Sequence, residues 1–386
     1  MSERALVTGG AGFIGSRLVR RLLDGGHEVT ILDSLVEAVH GVDARVPEEV
    51  AGARFVRGDV RDEAAWLDAL DGVEAVYHLA AETGTGESMY RSRRYVDVNV
   101  GGTALLCDLV QAGRAPSVRR VVLASSRAVY GEGPYACAAC GEVDPRPRSA
   151  EQLAAGRWDP LCPVCGAAVT VRPARAGAPP RPTSVYGMTK RDQEELIHLL
   201  LPSAGVEAVS LRLQNVYGPG QSLRNPYTGI LSIFSVRFLE GRGVRIFEDG
   251  RESRDFVYVD DVVEALVRAG EVVLPAGHTV VDVGSGVATS VLSLARQLAA
   301  RYGAGDDAIE ITGEYRAGDI RHALADTTAL RRLLGIVPRT PLDEGLDAFA
   351  AWVRAEDRPA STLDRALDEM EASGLLGRTG PEPAGP

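Results

Sequence analysis

Lys190 is the only lysine in a chain of 386 residues; the other members of its 42 Lys and Arg are all arginine. Where arginine meets every generic need for positive charge, a retained ammonium marks a place that a planar, permanently charged guanidinium does not suit. An ammonium is compact, offers three rotatable donors and lowers the pKa of a nearby acid. Tyr186 stands four residues earlier, so on a helix the two side chains share a face. A phenol ordinarily titrates near ~10. Beside a fixed cation it can ionise closer to neutrality and act as a base toward a hydroxyl. Tyr-x-x-x-Lys is common by chance, and a surface tyrosine with a stray lysine is the plain alternative. A third side chain weighs against that alternative. Ser126 closes the apolar run 119–124 and is expected to hydrogen-bond the reacting oxygen, although a lone Ser at a strand end is more often a turn residue.

These three side chains need a scaffold, and the order of the chain supplies one. Residues 4–8 read as a buried strand, followed by Gly9-Gly10-Ala11-Gly12-Phe13-Ile14-Gly15 and an amphipathic helix from about 13 to 23. Strand, glycine loop and helix form the setting of a phosphate-binding turn. Gly9 permits the tight turn, Gly12 lets backbone approach a pyrophosphate, Gly15 lets the helix pack closely, and the helix N-terminus favours negative charge. Phe13 and Ile14 lie on that first turn. Strand 28–32 ends at Asp33, whose carboxylate can accept from ribose hydroxyls and would repel a 2′-phosphate, which selects NAD over NADP. A turn cap is the competing role for Asp33. Further strands are expected at 54–57, leading to Asp59 and Val60 beside the adenine, and at 73–79, leading to Leu79, Ala80 and Ala81 along the cofactor's path. A long helix at 91–112 carries Asn99. With strands at 119–124 and 207–213 and a helix at 183–201, the alternation predicts an α/β fold with a parallel, doubly wound sheet. After residue 219 the alternation breaks down, which predicts a second, smaller domain.

About fifty residues separate Ser126 from Tyr186, and they contain Cys137-Ala-Ala-Cys140-Gly and Cys162-Pro-Val-Cys165-Gly. Paired turns of this kind predict a four-thiolate zinc site, closed and therefore structural. Disulfide or redox roles for Cys137, Cys140, Cys162 and Cys165 are the weaker reading.

Composition narrows the class. Hydrophobic residues make up 45% and charged residues 25%, ordinary for a globular enzyme, and the length fits one large or two medium domains. A net charge of −11 argues against a nucleic-acid or anionic-membrane surface, while leaving room for a local arginine site for a phosphorylated small molecule. No apolar run approaches ~18 residues, so no spanning helix is expected. The first strand begins at residue 4, and we expect no secretory leader and a cytoplasmic location.

As a set, TGGAGFIG (8–15), Asp33, GDV (58–60), HLAA (78–81), Asn99, SSRAVYG (125–131), YGMTK (186–190) and RLQNVYGPG (212–220) resemble the extended short-chain dehydrogenase/reductases, in their NAD-dependent nucleotide-sugar epimerase/dehydratase branch. The resemblance spans about residues 4–355. It implies a Rossmann domain over 1–131 and 183–217, a zinc-knuckle insert over 132–182, a substrate domain over 218–358, and a C-terminal helix with a disordered tail over 359–386. It implies cofactor contacts from the glycine loop, Asp33, Asp59, Val60, 79–81, Asn99, Tyr186 and Lys190. Ser126, Asn215, Arg254 and Arg316 would contact a nucleotide-sugar substrate, the two arginines on its diphosphate, although any one arginine in so arginine-rich a chain is as easily a surface residue. Homodimer formation is implied likewise. The insert, with GTGESMY (84–90), GPGQSLRNPYTGI (218–230) and FEDGRESRDFVYVDD (247–261), is similar to dTDP-L-rhamnose 4-epimerases. Dehydratases of the family carry Asp-Glu directly after the Ser/Thr, where this chain has Arg127 and Ala128, so the resemblance implies simple C4 epimerisation through a 4-keto sugar. Other nucleotide-sugar epimerases, a 4-ketoreductase, a dehydratase or decarboxylase, and a non-catalytic NAD-binding regulator stay open at this level.

Overall fold

A computed structural model describes residues 3–41, 44–223, 229–275, 278–316, 318–356, 371, 372, 374 and 376–379. Seven parallel strands form the central sheet: β1 (Arg4–Thr8), β2 (Glu28–Asp33), β3 (Arg54–Arg57), β4 (Ala75–His78), β5 (Arg120–Ser126), β6 (Glu207–Leu213) and β7 (His278–Val283). Their spatial order is β7-β6-β5-β4-β1-β2-β3. Strand order reverses between β1 and β4, and that is where an open α/β sheet leaves a crevice at its carboxyl edge.

Alternation along the strands feeds two apolar layers. Ala5, Val7, Ile31, Val122 and Leu211 face one side, packed with Leu18 and Leu22 of helix α1 (Phe13–Asp24) and with Val262 and Leu266 of the helix Val259–Glu271. Leu6, Leu32, Val76 and Leu123 face the other, against Trp66, Leu106 and Ile197, the last on helix α2 (Val185–Leu200). Each such side chain, fully buried, is worth roughly 1.5–3 kcal/mol, so both layers hold the sheet edge rigid.

Three differences from the sequence reading stand out. First, the sheet does not finish at residue 217. His278–Val283 returns from beyond the expected boundary to pair with β6 from His278↔Ala208 to Val283↔Leu213. The second module is therefore smaller: helices Ile230–Leu239, Val291–Tyr302 and Leu342–Ala355 enclose Tyr217, Phe256 and Phe349. Second, the helix expected over 91–112 is broken by one wide turn, a π-helix at Val96–Gly101 that includes Asn99. Third, Leu376–Arg378 is not disordered. It pairs antiparallel with Glu314–Arg316; the tail beyond 379 and residues 357–370 lie outside the described residues.

The insert is a three-stranded antiparallel sheet, with Tyr135–Cys137 flanked by Gly141–Val143 and Val169–Val171. Its own core is only Tyr135, Cys137, Val143 and Cys162. So small a core cannot hold a fold by itself and needs a staple. Two are present. All four cysteine sulfurs lie within 4.8 Å of one another. A buried ion network also ties the insert to the second module: Arg148 meets Glu132 at 3.2 Å and Glu248 at 2.8 Å, and Arg321 meets Glu248 at 2.9 Å and Asp249 at 2.7 Å. No helix among the described residues is long and apolar enough to cross a membrane.

Candidate active site

A crevice of about 650 Å³ runs along the carboxyl edge of the sheet, from the glycine loop past β4 and β5 to Asn215. Its floor is set by close backbone approach. Gly9 has φ +69°, and a Cβ there would stand 2.9 Å from the Ala80 nitrogen. A Cβ on Gly15 would stand 2.1 Å from the Gly9 carbonyl oxygen, so only glycine lets α1 begin this near the loop. Gly12, Phe13 and Ile14 open onto the crevice at the N-terminus of α1, whose first turn contains no acid. This is a cradle for a phosphate group.

Asp33 lies on the crevice wall, its carboxylate fixed by the amides of Ala11 (3.0 Å) and Leu35 (2.8 Å). Each oxygen keeps a lone pair for a hydroxyl. Asp59 is gripped by Arg61 at 2.7 Å, and that hydrogen bond holds its carboxyl below the usual range. Asp59, Val60, Leu79, Ala80 and Ala81 all line the same wall.

Asn99 does not. It is fully buried, and its amide clamps Glu82 from both sides: Oδ1 accepts from the Glu82 nitrogen at 2.8 Å and Nδ2 donates to the Glu82 carbonyl at 3.1 Å. Nδ2 also donates to Thr189 Oγ1 at 3.0 Å. Asn99 thus fastens the segment after β4 to the helix of Tyr186 and Lys190; it positions the wall and does not form it.

Ser126, Tyr186 and Lys190 come together at the centre of the crevice. Ser126 ends β5, and its Oγ accepts from the Ala128 amide at 3.2 Å as the cap of the following turn. Ser184 caps α2, which puts Tyr186 in its first turn and Lys190 one turn on. Ser125 and Arg212 both bond Glu194, one further turn along, and so seat the helix on the sheet.

The electrostatics differ from the expectation. Burial pushes the Tyr186 phenol up, and what opposes burial is the Ser126 hydrogen bond and the Arg127 guanidinium. Lys190 has its Nζ on the Ala124 carbonyl at 2.8 Å, and burial pulls it down to about 7, with Glu194 opposing. The sequence spacing identifies the shared face correctly but carries no information about how dry that face is.

The two arginines expected at a diphosphate are not on the main crevice wall. Arg254 is buried on the carbonyls of Ser253, Ile320 and Arg321 and on Asp319 (3.2 Å). Arg316 meets the other Asp319 oxygen at 2.9 Å and lines a narrow side cavity with Arg127, Thr85 and Asp319. Its Nε is buried without a hydrogen-bond partner. Burial alone would raise the Asp319 carboxyl, but Arg316, Arg254 and Arg127 hold it far below its ordinary value. Asn215 accepts from Arg127 Nε at 3.1 Å and lines the crevice. Residues 224–228, within the GPGQSLRNPYTGI motif, lie outside the described residues.

Arg127 lines both the crevice and the side cavity, a placement that sequence reasoning does not give. It registers there only as a missing acid, and its placement between crevice and side cavity follows from the turn after β5. Thr8 is a second: its hydroxyl bonds His78 and accepts from the amides of Leu79 and Ala80, shaping the wall from below.

In the insert, Cys137 and Cys165 sulfurs stand 3.6 Å apart, and none of the five cysteines is in a disulfide. Tetrahedral ligands at ~2.3 Å from a zinc ion would be separated by about 3.8 Å. Backbone amides of Cys165 and Val164 pull the Cys162 thiol down to about 7. The donor set and its spacing fit zinc.

Known proteins agree with this geometry. The model of the NAD dependent epimerase/dehydratase family matches residues 5–150 and 164–284. A dTDP-L-rhamnose 4-epimerase of Burkholderia thailandensis is 41% identical over 92% of this chain and 96% of its own. Among solved structures, a UDP-glucose 4-epimerase of Thermotoga maritima with UDP-glucose has a TM-score of 0.73 at 29% identity, covering 91% of this chain and 99% of that one. A Thermus thermophilus UDP-glucose 4-epimerase in complex with NAD has a TM-score of 0.70 at 27% identity, covering 92% of this chain and 100% of that one.

Proposed function

Because the chain belongs to the NAD-dependent epimerase/dehydratase family, we propose that it inverts C4 of a nucleotide-linked hexose, with dTDP-L-rhamnose and dTDP-6-deoxy-L-talose as the pair. The observation that carries the reading is Ser126, Tyr186 and Lys190 on one crevice wall, with Arg127 and Ala128 after the serine. A dehydratase needs a second base there for the C5 proton; an arginine and an alanine supply none. The Burkholderia relative supports the sugar. UDP-glucose is the competing substrate, favoured by the Thermotoga relative. A binding protein without catalysis would have no use for Ser126, Tyr186 and Lys190 together on one crevice wall.

Gly9, Gly12, Phe13, Ile14, Gly15, Asp33, Asp59, Val60 and residues 79–81 would hold NAD, the glycines because side chains there would fill the cradle. Bound NAD supplies a hydride acceptor and donor at C4 of the sugar. Tyr186 would take the proton of the 4-hydroxyl as C4 is oxidised and give it back as C4 is reduced on the other face. Ser126 donates to the oxygen that becomes the ketone. Lys190 orients ribose hydroxyls, Asn215 meets the substrate, and Arg316, reached through the side cavity, draws its diphosphate. Arg254 acts on the diphosphate through Asp319. The Cys137, Cys140, Cys162 and Cys165 thiolates hold one structural zinc. A cytoplasmic homodimer belongs to the same reading, and sedimentation at twice the chain mass tests it.

The deciding experiment mixes the purified protein with dTDP-L-rhamnose, without added cofactor, and follows the sugar by NMR. A second C4 epimer at equilibrium, absent with Tyr186→Phe, is expected. Turnover of UDP-glucose alone moves the substrate to the competing reading; no turnover of either ends the epimerase reading.

A further inference from the structure

The strand that ends in Arg316 is held by two distant parts of the chain. Glu314–Arg316 forms a two-stranded sheet with the C-terminal strand Leu376–Arg378, and among the described residues it pairs with no other strand. The register sets Glu314 opposite Arg378, Tyr315 opposite Gly377 and Arg316 opposite Leu376, so each pair shares a face.

Side chains fix that register. Glu314 is 2% exposed, and its Oε1 accepts from Arg378 Nε at 3.0 Å and also from Arg245. Gly377 leaves room for the Tyr315 ring to lie on the strand: a Cβ there would stand 2.4 Å from Tyr315 Cζ. The same ring meets Trp158 of the insert, with centroids 6.3 Å apart. Tail and insert thus converge on the residue next to Arg316. The Arg316 guanidinium in turn bonds Asp319 at 2.9 Å, stands 5.4 Å from the Phe247 ring centre and opens on the side cavity. A strand without a paired neighbour has no ladder to hold it, and a grip misplaced by about 1 Å loses much of its effect.

We propose that Leu376–Arg378 is a positioning strand for substrate: it fixes the backbone of Tyr315 and Arg316, and so sets how strongly Arg316 draws a nucleoside diphosphate. The inference rests on the reading that gives Arg316 the diphosphate. Leu376, Gly377 and Arg378 line neither the crevice nor the side cavity, so they act through the strand and not on the ligand.

The test measures the dissociation constants of dTDP and of UDP by calorimetry on the full-length holoenzyme, in wild type, Gly377→Val, Arg316→Ala and the double variant. Gly377→Val drives a side chain into the Tyr315 ring. If it does not fold, Gly377→Ala makes the same clash with its Cβ alone, and Arg378→Ala loosens the pair without any clash. Gly377→Val should weaken the tighter nucleotide by at least about tenfold, the worth of one charge-assisted hydrogen bond. NAD content should stay unchanged, and amide exchange over Glu314–Arg316 should quicken. In the Arg316→Ala background the same substitution should change affinity by less than about twofold, because the group it positions is gone. A general loosening of the fold would weaken binding equally in both backgrounds. Nucleotide affinity or amide exchange that stays put in Gly377→Val, or two substitutions whose effects add, overturns the proposal. No turnover is needed, so a protein that passes this test yet leaves dTDP-L-rhamnose unchanged keeps the positioning strand and loses the epimerase reading.

Discussion

Arg148→Met is the perturbation whose cost the structure defines most fully. The guanidinium is 1% exposed and makes four bonds: to Glu132 (3.2 Å), to Glu248 (2.8 Å), and to the carbonyls of Trp158 (3.0 Å) and Asp319 (2.9 Å). Methionine fills much of the volume but leaves Glu132 buried with no cation in contact, while Glu248 keeps Arg321. Breaking one side of a buried pair costs about 3–5 kcal/mol. Against a total of about 5–15 kcal/mol that is a large fraction. The cost depends on pH. Burial already raises the Glu132 carboxyl, with Arg148 opposing; without Arg148 it rises further. A carboxyl whose folded pKa lies above its unfolded value contributes stability that is present at low pH and lost as pH rises through the folded pKa. Urea unfolding of wild type and variant at pH 5 and pH 8 should therefore show the larger loss at pH 8. A loss under about 1 kcal/mol at both, or a larger loss at pH 5, would refute the reasoning.

Further outcomes follow from the same physics. Lys190→Met should flatten the pH dependence of stability in the cofactor-free protein: between about 7 and 10.5 the unfolded chain keeps a proton that the folded lysine has released, so wild-type stability rises with pH over that window, and calorimetry from pH 6 to 10 should show the rise only in wild type. Gly15→Ala should abolish dinucleotide binding measured by fluorescence while the chain stays folded, because a Cβ 2.1 Å from the Gly9 oxygen forces the loop off its cradle. Cys162→Ser should empty the insert of zinc by elemental analysis and lower thermal stability; wild-type protein purified without added zinc that contains no metal, and disulfides instead, would contradict the four-thiolate site. Asn99→Leu should impair turnover without contacting any ligand, by freeing Glu82 and its segment; unchanged kinetics would remove Asn99 from the positioning of the wall.

How much of this was legible beforehand depended on whether the signal was local. The glycine loop, Asp33 and the Tyr186–Lys190 spacing are short-range patterns, and the structure puts them on one crevice. The paired Cys-x-x-Cys turns were readable for the same reason: 25 residues apart in sequence, their sulfurs meet because each turn is self-contained. What local patterns do not carry is long-range. His278–Val283 has the apolar alternation of a strand, but its place beside β6 is decided by pairing across some seventy residues. For Arg254 and Arg316, the motifs carry no sign of Asp319, which meets both at 3.2 and 2.9 Å. Asn99 matched a family position, yet its role depends on a π-turn and on Glu82.

In the proposed reaction C4 is oxidised and reduced again by one hydride that never leaves the crevice. This is tested most directly with dTDP-L-rhamnose carrying deuterium at C4, turned over in ordinary water. A C4 epimer that retains the deuterium at C4 is expected. Loss of that label to solvent, or its retention with no inversion, would contradict it.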